Sequence, residues 1–339
     1  MDLTEIKTES PVIVNGFAES RIGGRSENQD SLGWADTPFG FLLTVCDGMG
    51  GGPGGKTASS IAVKEIIDGV KEADHQEEVA NILIKAIRRA NMAILNQANE
   101  QPNLQGMGST CTVLLINQKS ATIAHVGDSR VYQFRGSRKI FRTFDHSMVF
   151  DLVKQKVLTE EQARLSAQSN VITRALGIKH DLEVEISERP YEKGDRFLLC
   201  TDGIHGAIEE KELIKWAVNR KPSLGSLVDD ISTEIDNVGR NAGGGHDNLT
   251  LAMVETKMNS IKKETMSNKI KQLLGVIGTL CVVSIAFNIF LALNNSNSLD
   301  ENSNANELKK DTVFCKSFIQ ELKSDSVYSK IIKELNDKK

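Results

Sequence analysis

An uncharged apolar run extends from residue 273 to residue 293 and limits how this chain can fold. It reads LLGVIGTLCVVSIAFNIFLAL and contains no Asp, Glu, Lys or Arg. A helix of this length spans about 30 Å, which matches the hydrocarbon thickness of a bilayer. A core helix of a soluble domain rarely stays apolar on every face over this distance. The run therefore predicts a transmembrane helix, with a buried core helix as the alternative.

The charges beside the run predict its orientation. The basic residues before it are Lys262, Lys263, Lys269 and Lys271. After it, the next basic residue is Lys309. The positive-inside rule places the lysine-rich side in the cytoplasm. We therefore expect a single-pass protein of the cell membrane with four parts: a cytoplasmic domain at 1–257, a basic juxtamembrane linker at 258–272, a transmembrane helix at 273–293, and an extracytoplasmic tail at 294–339.

The composition is that of a globular protein without an electrostatic bias. The 339 residues are 40% hydrophobic and 25% charged, and the formal net charge is −4. This balance gives no reason to expect nucleic acid as a partner. The five cysteines form no CxxC pair, which argues against a zinc site. The polar start MDLTEIKTES lacks the basic and apolar regions of a signal peptide.

Short apolar or β-branched runs in the first 257 residues predict β-strands. They lie at 41–46, 110–116, 121–126, 130–135, 196–200 and 248–255. The short gaps between several of them favour antiparallel hairpins. Apolar residues at helical spacing predict helices at 56–70 and 77–98, and Thr159 with Gln162 matches a capping box that opens a further helix. Strand runs interrupted by helix pairs predict an α+β fold.

The segment Gly50 to Thr57 matches the phosphate-binding pattern GxxxxGK[ST] and raises an alternative function. It follows an apolar strand and precedes a helix, which is the context that a nucleotide-binding P-loop needs. Asp47, however, would place a negative charge beside the bound phosphates. The predicted hairpins also differ from the parallel βαβ series that carries P-loops. A P-loop nucleotide hydrolase is therefore the weaker interpretation.

Aspartates lie at the ends of several predicted strands. Asp47, Asp128 and Asp202 each follow a strand, and Asp247 precedes one. One such aspartate is often only a turn former. Several carboxylates gathered at one edge repel each other unless cations neutralise them, and oxygen ligands suit Mg²⁺ and Mn²⁺. The glycines directly after Asp47 and Asp202 allow the backbone to approach an ion closely.

These motifs, in this order, resemble the metal-dependent protein phosphatases of the protein phosphatase 2C type, in their bacterial form. The resemblance covers about residues 12–255 and rests on five segments: RSENQD at 25–30, DGMGG at 47–51, GDSR at 127–130, TDG at 201–203 and DN at 247–248. It implies a four-layer αββα sandwich of two antiparallel sheets flanked by helices. It also implies hydrolysis of phosphoserine and phosphothreonine in proteins.

The resemblance further implies which residues hold metal. Asp47 is expected to bridge two Mn²⁺ or Mg²⁺ ions. Asp202 and Asp247 are expected to hold one of these ions, and the carbonyl of Gly48 the other. Asp30 is expected to support the site through bound water.

A third ion and a phosphate-binding residue also follow from the resemblance. Asp128 is expected to hold the third ion together with Asp202. The guanidinium of Arg25 suits the geometry of a substrate phosphate. A hydroxide that bridges two ions is expected to attack phosphorus directly, with no phosphoenzyme.

The chain departs from the family pattern at two positions. Gln29 stands where some members have Glu beside the first aspartate, which puts metal affinity at that position in question. Met49 stands where eukaryotic members have a histidine proposed as the general acid. The acid for the leaving group is therefore open, and His146 and His246 are candidates by motif proximity.

Partners follow from the same resemblance. We expect phosphorylated protein substrates, a cognate serine/threonine kinase and, through one helix, membrane lipid. Residues 146–176 occupy the place of a mobile flap in the family, with the polar segment 166–170 as its expected tip. A non-catalytic phosphoprotein-binding module remains a rival function, although the intact set of Asp47, Asp202 and Asp247 argues against it.

Overall fold

The structure is a computed structural model that describes residues 1–8, 14–50 and 54–260. The predicted linker beyond residue 260, the transmembrane run at 273–293 and the tail at 294–339 lie outside these residues. Within the described ranges, no helix is long and apolar enough to cross a membrane. The domain boundary expected at 257 stays a prediction; in the structure, Ser260 is still buried and its hydroxyl donates to the carbonyl of Tyr191 at 2.7 Å.

The strands are, in chain order, β1 (Thr4–Ile6), β2 (Val14–Arg21), β3 (Ser31–Thr37), β4 (Gly40–Cys46), β5 (Gly48–Met49), β6 (Gly108–Ser109), β7 (Cys111–Ile116), β8 (Ala121–Val126), β9 (Arg130–Arg135), β10 (Arg138–Arg142), β11 (Glu185–Arg189), β12 (Arg196–Cys200) and β13 (Leu249–Thr256). The helices are α1 (Gly54–Lys71), α2 (Val79–Glu100), α3 (Met148–Lys154), α4 (Glu160–Arg164), α5 (Asp202–His205), α6 (Glu210–Ala217) and α7 (Leu224–Asn241), with a 3₁₀ turn at Pro102–Leu104.

Two antiparallel sheets form the centre of the domain. The first has the strand order β1-β2-β13-β12-β9-β10, and the second has the order β11-β8-β7-β4-β3. One face of each sheet packs against the other sheet through residues such as Phe41, Leu43, Phe197 and Leu199. Because both faces of the central strands are covered, these strands are apolar at consecutive positions instead of alternating.

Helix pairs cover the two outer faces. The face of β4 that carries Leu42 and Cys46 packs against α1 and α2. The face of β12 that carries Leu198 and Cys200 packs against α6 and α7. The domain is thus a four-layer αββα sandwich, as the resemblance implied, and the α+β prediction is confirmed.

The predicted strands at 41–46, 110–116, 121–126, 130–135, 196–200 and 248–255 are all present to within one residue. The capping box is confirmed as well, since Thr159 and Gln162 exchange side-chain and backbone hydrogen bonds at the start of α4. The remaining elements, among them β2, β3 and α7, were not predicted from the sequence. The pattern of β2 does not distinguish a strand from a loop, because Gly16, Glu19 and Ser20 interrupt its apolar residues.

The P-loop interpretation does not agree with the fold. Every strand pair in the two sheets is antiparallel. The amine of Lys56, the lysine of the P-loop pattern, donates to the carbonyl of Asp30 at 2.8 Å and to the hydroxyl of Ser31 at 3.2 Å. Lys56 therefore joins the start of α1 to β3 and is not available to bind nucleotide phosphates.

Candidate metal and phosphate site

The strand register brings the predicted aspartates to one edge of the sandwich. Cys200, the last residue of β12, pairs with Leu251 of β13 and with Arg130 of β9. Asp202, Asp247 and Asp128 flank these three residues, so they meet at the same edge. Asp47 follows β4, whose partner β7 pairs in turn with β8, and it reaches the edge from the second sheet.

A cavity of about 380 Å³ lies between these strand ends. Of the predicted site residues, Arg25, Asp47, Gly48, Asp128, Asp202 and Asp247 line it. The remaining one, Asp30, lies behind the wall. The side chain of Asp30 is buried, and its Oδ2 accepts a hydrogen bond from the hydroxyl of Thr201 at 3.0 Å. This position fits the indirect role that the resemblance gave to Asp30.

Hydrogen bonds to Ser109 and Thr110, directly before β7, fix the backbone of Asp47. The amide of Asp47 donates to the hydroxyl of Thr110 at 2.9 Å, and its carbonyl accepts from the amide of Thr110 at 2.8 Å and from the hydroxyl of Ser109 at 3.0 Å. Gly48, the next residue, is tightly enclosed: a Cβ atom there would lie 1.9 Å from the carbonyl oxygen of Gly55. A side chain at position 48 would therefore push Gly48, which lines the cavity, and the start of α1 apart.

Asn248 connects the metal-site edge to the loop that carries Arg25. Its side-chain amide donates to the carbonyls of Ile22 at 2.8 Å and Glu27 at 3.0 Å, and its side-chain oxygen accepts from the amide of Gln29 at 2.9 Å. The sequence motif included Asn248 without giving it a role. The contacts show that it holds the 22–29 loop beside Asp247.

Burial and mutual repulsion perturb the carboxylates strongly. Burial raises the pKa of Asp30 to about 6 and that of Asp128 to about 7. Burial raises the pKa of Asp47 well above its usual value, and the negative charge of Asp202 raises it further. Burial likewise raises the pKa of Asp202 well above its usual value, and the negative charge of Asp128 adds to this effect. Such groups are costly to ionise together unless cations enter.

Among the described residues, Arg25 supplies the cationic side chain on the wall of this cavity. Its Nη2 donates to Oδ2 of Asp247 at 3.0 Å, and about half of the side chain is exposed. One guanidinium cannot balance the carboxylates of the four aspartates and of Glu27, which line the same space. The donor set is oxygen alone, which suits hard divalent cations such as Mn²⁺ and Mg²⁺. The residues therefore fit the metal cofactor that the sequence predicted.

The GDSR segment is held by a buried ion pair. Arg130 donates through Nε and Nη2 to the two oxygens of Asp145, each at 2.7 Å. The hydroxyls of Ser129 and Thr110 lie 2.7 Å apart. These contacts tie the turn that bears Asp128 to the segment after β10 and to Thr110, which directly precedes β7. They give Asp145 a structural role.

His205, which the sequence motifs did not indicate, also fixes this turn. It is the last residue of α5, and it is buried. Its Nε2 lies 3.0 Å from the backbone carbonyl of Asp128 and must donate, because a carbonyl can only accept. His205 thereby links the helix that begins with Asp202 to the turn that carries Asp128. Only its spacing of three residues after Asp202 could have suggested this.

The two histidines proposed as general acids lie in different surroundings. His146 lines neither this cavity nor the larger one beside it; its Nδ1 accepts from the amide of Gly127 at 3.2 Å, and its Nε2 faces Glu185 at 3.2 Å. His246 lines the larger cavity, with its Nε2 2.8 Å from Asp236. The general-acid role of His246 stays a prediction, whereas the contacts of His146 are those of a supporting residue.

One compact group of potential ligands lies outside the predicted set. In the described residues, His125, His146 and Glu185 bring one ligand atom each within 4.8 Å of one another. The amide of Gly127 occupies Nδ1 of His146, so its proton lies on Nε2, the atom that faces Glu185. The two imidazole rings are also stacked, with centroids 4.6 Å apart. This group is better explained as a hydrogen-bonded support for the Gly127 turn than as a metal site.

Comparison with known proteins yields consistent matches. Residues 19–238 match the family model described as "Protein phosphatase 2C". The serine/threonine phosphatase stp of Listeria innocua is 32% identical over 239 residues, which is 70% of this chain and 89% of that protein.

Solved structures agree. The S. agalactiae serine/threonine phosphatase superposes with a TM-score of 0.65 at 29% identity, covering 72% of this chain and 99% of that one. The catalytic domain of the phosphatase PstP in complex with two manganese ions superposes with a TM-score of 0.59 at 29% identity, with the same coverage.

Proposed function

The chain belongs to the protein phosphatase 2C family and is a metal-dependent serine/threonine protein phosphatase, and from this premise we propose how its own residues carry the reaction. Asp47, Asp202 and Asp247, with the carbonyl of Gly48, would hold two Mn²⁺ or Mg²⁺ ions. Asp30 would support them from behind, and Asp128 with Asp202 would hold a third ion.

The observation that carries this proposal is the uncompensated charge of one small cavity. Four aspartates line it, a fifth is buried behind its wall, and Arg25 is the cationic side chain that reaches it within the described ranges. A folded domain keeps such a cluster only at a cost in stability, unless ions bind there. Two or three divalent cations would remove that cost.

The bound cations would supply hydroxide from water at neutral pH and neutralise charge on the phosphoryl oxygens. The residues of the chain place the substrate for this attack. Arg25 would leave Asp247 to grip the phosphate, because its fork of donors matches phosphate oxygens. Among the described residues, neither histidine nor cysteine lines the smaller cavity, so we propose direct displacement without a phosphoenzyme. A bond from phosphorus to the oxygen derived from water would form as the bond to the serine or threonine oxygen breaks. That oxygen would take up a proton to leave as the hydroxyl, and inorganic phosphate would be released.

The test is Mn²⁺-dependent release of phosphate from a phosphothreonine peptide. Wild-type protein should release phosphate, EDTA should abolish release, and Asp47→Asn or Asp202→Asn should lower kcat by at least about 10³-fold, since each removes ligand charge at the reacting centre. Asp181→Asn is the matched control, because Asp181 is an exposed aspartate that lines neither cavity.

The rival functions give different results in the same assay. Release from ATP but from no phosphopeptide would support a nucleotide hydrolase. Binding of the phosphopeptide without release would support the non-catalytic module. Full activity of Asp47→Asn in the presence of Mn²⁺ would refute the assignment of the metal site.

We also propose that the protein is held in the cell membrane by residues 273–293, with the phosphatase domain on the cytoplasmic side and a serine/threonine kinase as its counterpart. The uncharged run and the lysines before it support this proposal. Replacing Val282 and Val283 by lysine should release the full chain from carbonate-washed membranes, since each central lysine costs about 3 kcal/mol of insertion energy. Retention of the double variant in the membrane would contradict the span.

A further inference from the structure

A second cavity of about 600 Å³ opens beside the metal and phosphate site. The two cavities share wall residues, namely Arg25, Asp128, Asn170, Asp202 and Asp247. The larger cavity is bounded by α3 and α4 on one side and by the C-terminal part of α7 on the other. A chain segment that places a phosphate at the shared wall can therefore continue into the larger cavity without leaving the surface.

The charged side chains around the larger cavity are already paired with one another. Glu160 and Glu210 both contact Arg142, and Glu161 contacts Arg164. Further pairs join Glu209 to Lys211 and Asp145 to Arg130. Apart from the metal-site aspartates, the acidic groups that the structure describes on this wall thus each have a basic partner within the protein, and they do not by themselves favour a charged ligand.

Part of the cavity wall between these ion pairs is apolar. Val149, Phe150 and Ala163 of α3 and α4 and Ile235 of α7 are almost fully buried in this wall, whereas Val238 and Ala242 at the end of α7 are exposed. Ile235, Val238 and Ala242 recur at helical spacing and form one face at the end of α7 that lines the cavity. Val238 is 41% exposed, which is unusual for a large apolar side chain in a helix that otherwise buries its apolar residues in the core.

We propose that this cavity is a substrate subsite that binds an apolar side chain near the phosphorylated residue. The proposal rests on the phosphatase function above and adds the substrate class. The occupant is a segment of the phosphoprotein, because the cavity is continuous with the phosphate site and too large for the phosphorylated residue alone to fill. The paired charges and the apolar face of α7 select a leucine-like or phenylalanine-like residue over a charged one.

The test compares phosphothreonine peptides that differ at one position, with Leu, Ser, Glu or Lys at each of the three positions on either side of the phosphothreonine. For the wild type, Leu should exceed Ser in kcat/KM by about tenfold at one or more positions. Val238→Lys should abolish this preference and make Glu better than Leu at the same position, because it places a cation in the cavity wall. Val238→Leu should keep the preference for Leu.

Met92→Lys is the matched control. Met92 lies on α2, is 39% exposed and does not line the cavity, so its replacement by lysine should leave the peptide preferences as in the wild type. The inference is overturned if the wild type shows no preference at any position, or if Val238→Lys slows all peptides equally. A wild type that releases no phosphate from any peptide would instead refute the phosphatase assignment itself.

Discussion

Replacing Gly203 by alanine tests whether the spacing between two metal-site elements controls catalysis. Gly203 follows Asp202 at the start of α5, and a Cβ atom there would lie 1.9 Å from the carbonyl oxygen of Asn248 and 3.4 Å from Cβ of Asp247. Real Cβ atoms do not approach other atoms within 3.0 Å. The start of β13 must therefore move away from α5 by about 1.1 Å, and a displacement of this size at a reacting centre costs about 100-fold in rate.

The assay measures kcat/KM on a phosphothreonine peptide and on a small aryl phosphate over a range of Mn²⁺ concentrations. We expect a loss of about 100-fold with both substrates and a higher Mn²⁺ requirement, because the distance between Asp202 and Asp247 changes for every substrate. Overpacking should also lower the free energy of unfolding by about 1–3 kcal/mol.

A control separates this effect from a general loss of stability. Gly136, in the turn between β9 and β10, has a φ of +58°, and no described atom lies within 4 Å of the position that a Cβ would take there. Gly136→Ala therefore costs about 1 kcal/mol through backbone strain but moves nothing in the site, so its kcat/KM should equal that of the wild type. A Gly203→Ala variant that keeps kcat/KM within about threefold of the wild type would refute a catalytic role for this close approach, since the expected loss is about 100-fold.

Three further predictions concern the same site. In the folded, ion-free protein, burial raises the pKa of Asp30 to about 6 and that of Asp128 to about 7. Protonation of these groups therefore stabilises the folded protein at low pH, and this contribution is lost as the pH rises through these values. The increase in Tm caused by Mn²⁺ should be larger at about pH 7.5 than at about pH 5, and a pH-independent increase would contradict the assignment. Arg25→Ala should lower kcat/KM by about 10- to 100-fold, as expected for loss of hydrogen bonds to a charged group, with partial recovery in Arg25→Lys; equal activity of all three proteins would remove Arg25 from phosphate binding. His205→Ala should raise the Mn²⁺ concentration for half-maximal activity several-fold, since the donor to the carbonyl of Asp128 is lost. His205→Gln, which keeps a donor, should have a smaller effect. An unchanged Mn²⁺ requirement in His205→Ala would show that His205 is only a core residue.

Many of the strands and helices could be predicted, because neighbouring residues in the sequence are enough to specify them. The strands at 41–46, 121–126 and 196–200 are buried on both faces, and continuous apolar runs of that length have few other stable conformations. The Thr159 capping box is likewise decided by two side chains three residues apart. Strand β2 was not predicted, because its polar residues Glu19 and Ser20 are buried by contacts with distant parts of the chain. The hydroxyl of Ser20, for example, lies 2.7 Å from that of Thr250 in β13, 230 residues away in sequence.

The positions of the four aspartates that we propose as metal ligands follow from the sequence alone: Asp47, Asp128, Asp202 and Asp247 stand at strand ends, with glycines after Asp47 and Asp202. Their convergence, in contrast, depends on the tertiary structure. Antiparallel register joins β12 to both β13 and β9, so three aspartates from distant segments meet at one edge. Burial then places Asp30 behind the wall instead of on it. Convergence and burial depend on contacts between residues far apart in the chain, and no local pattern specifies them.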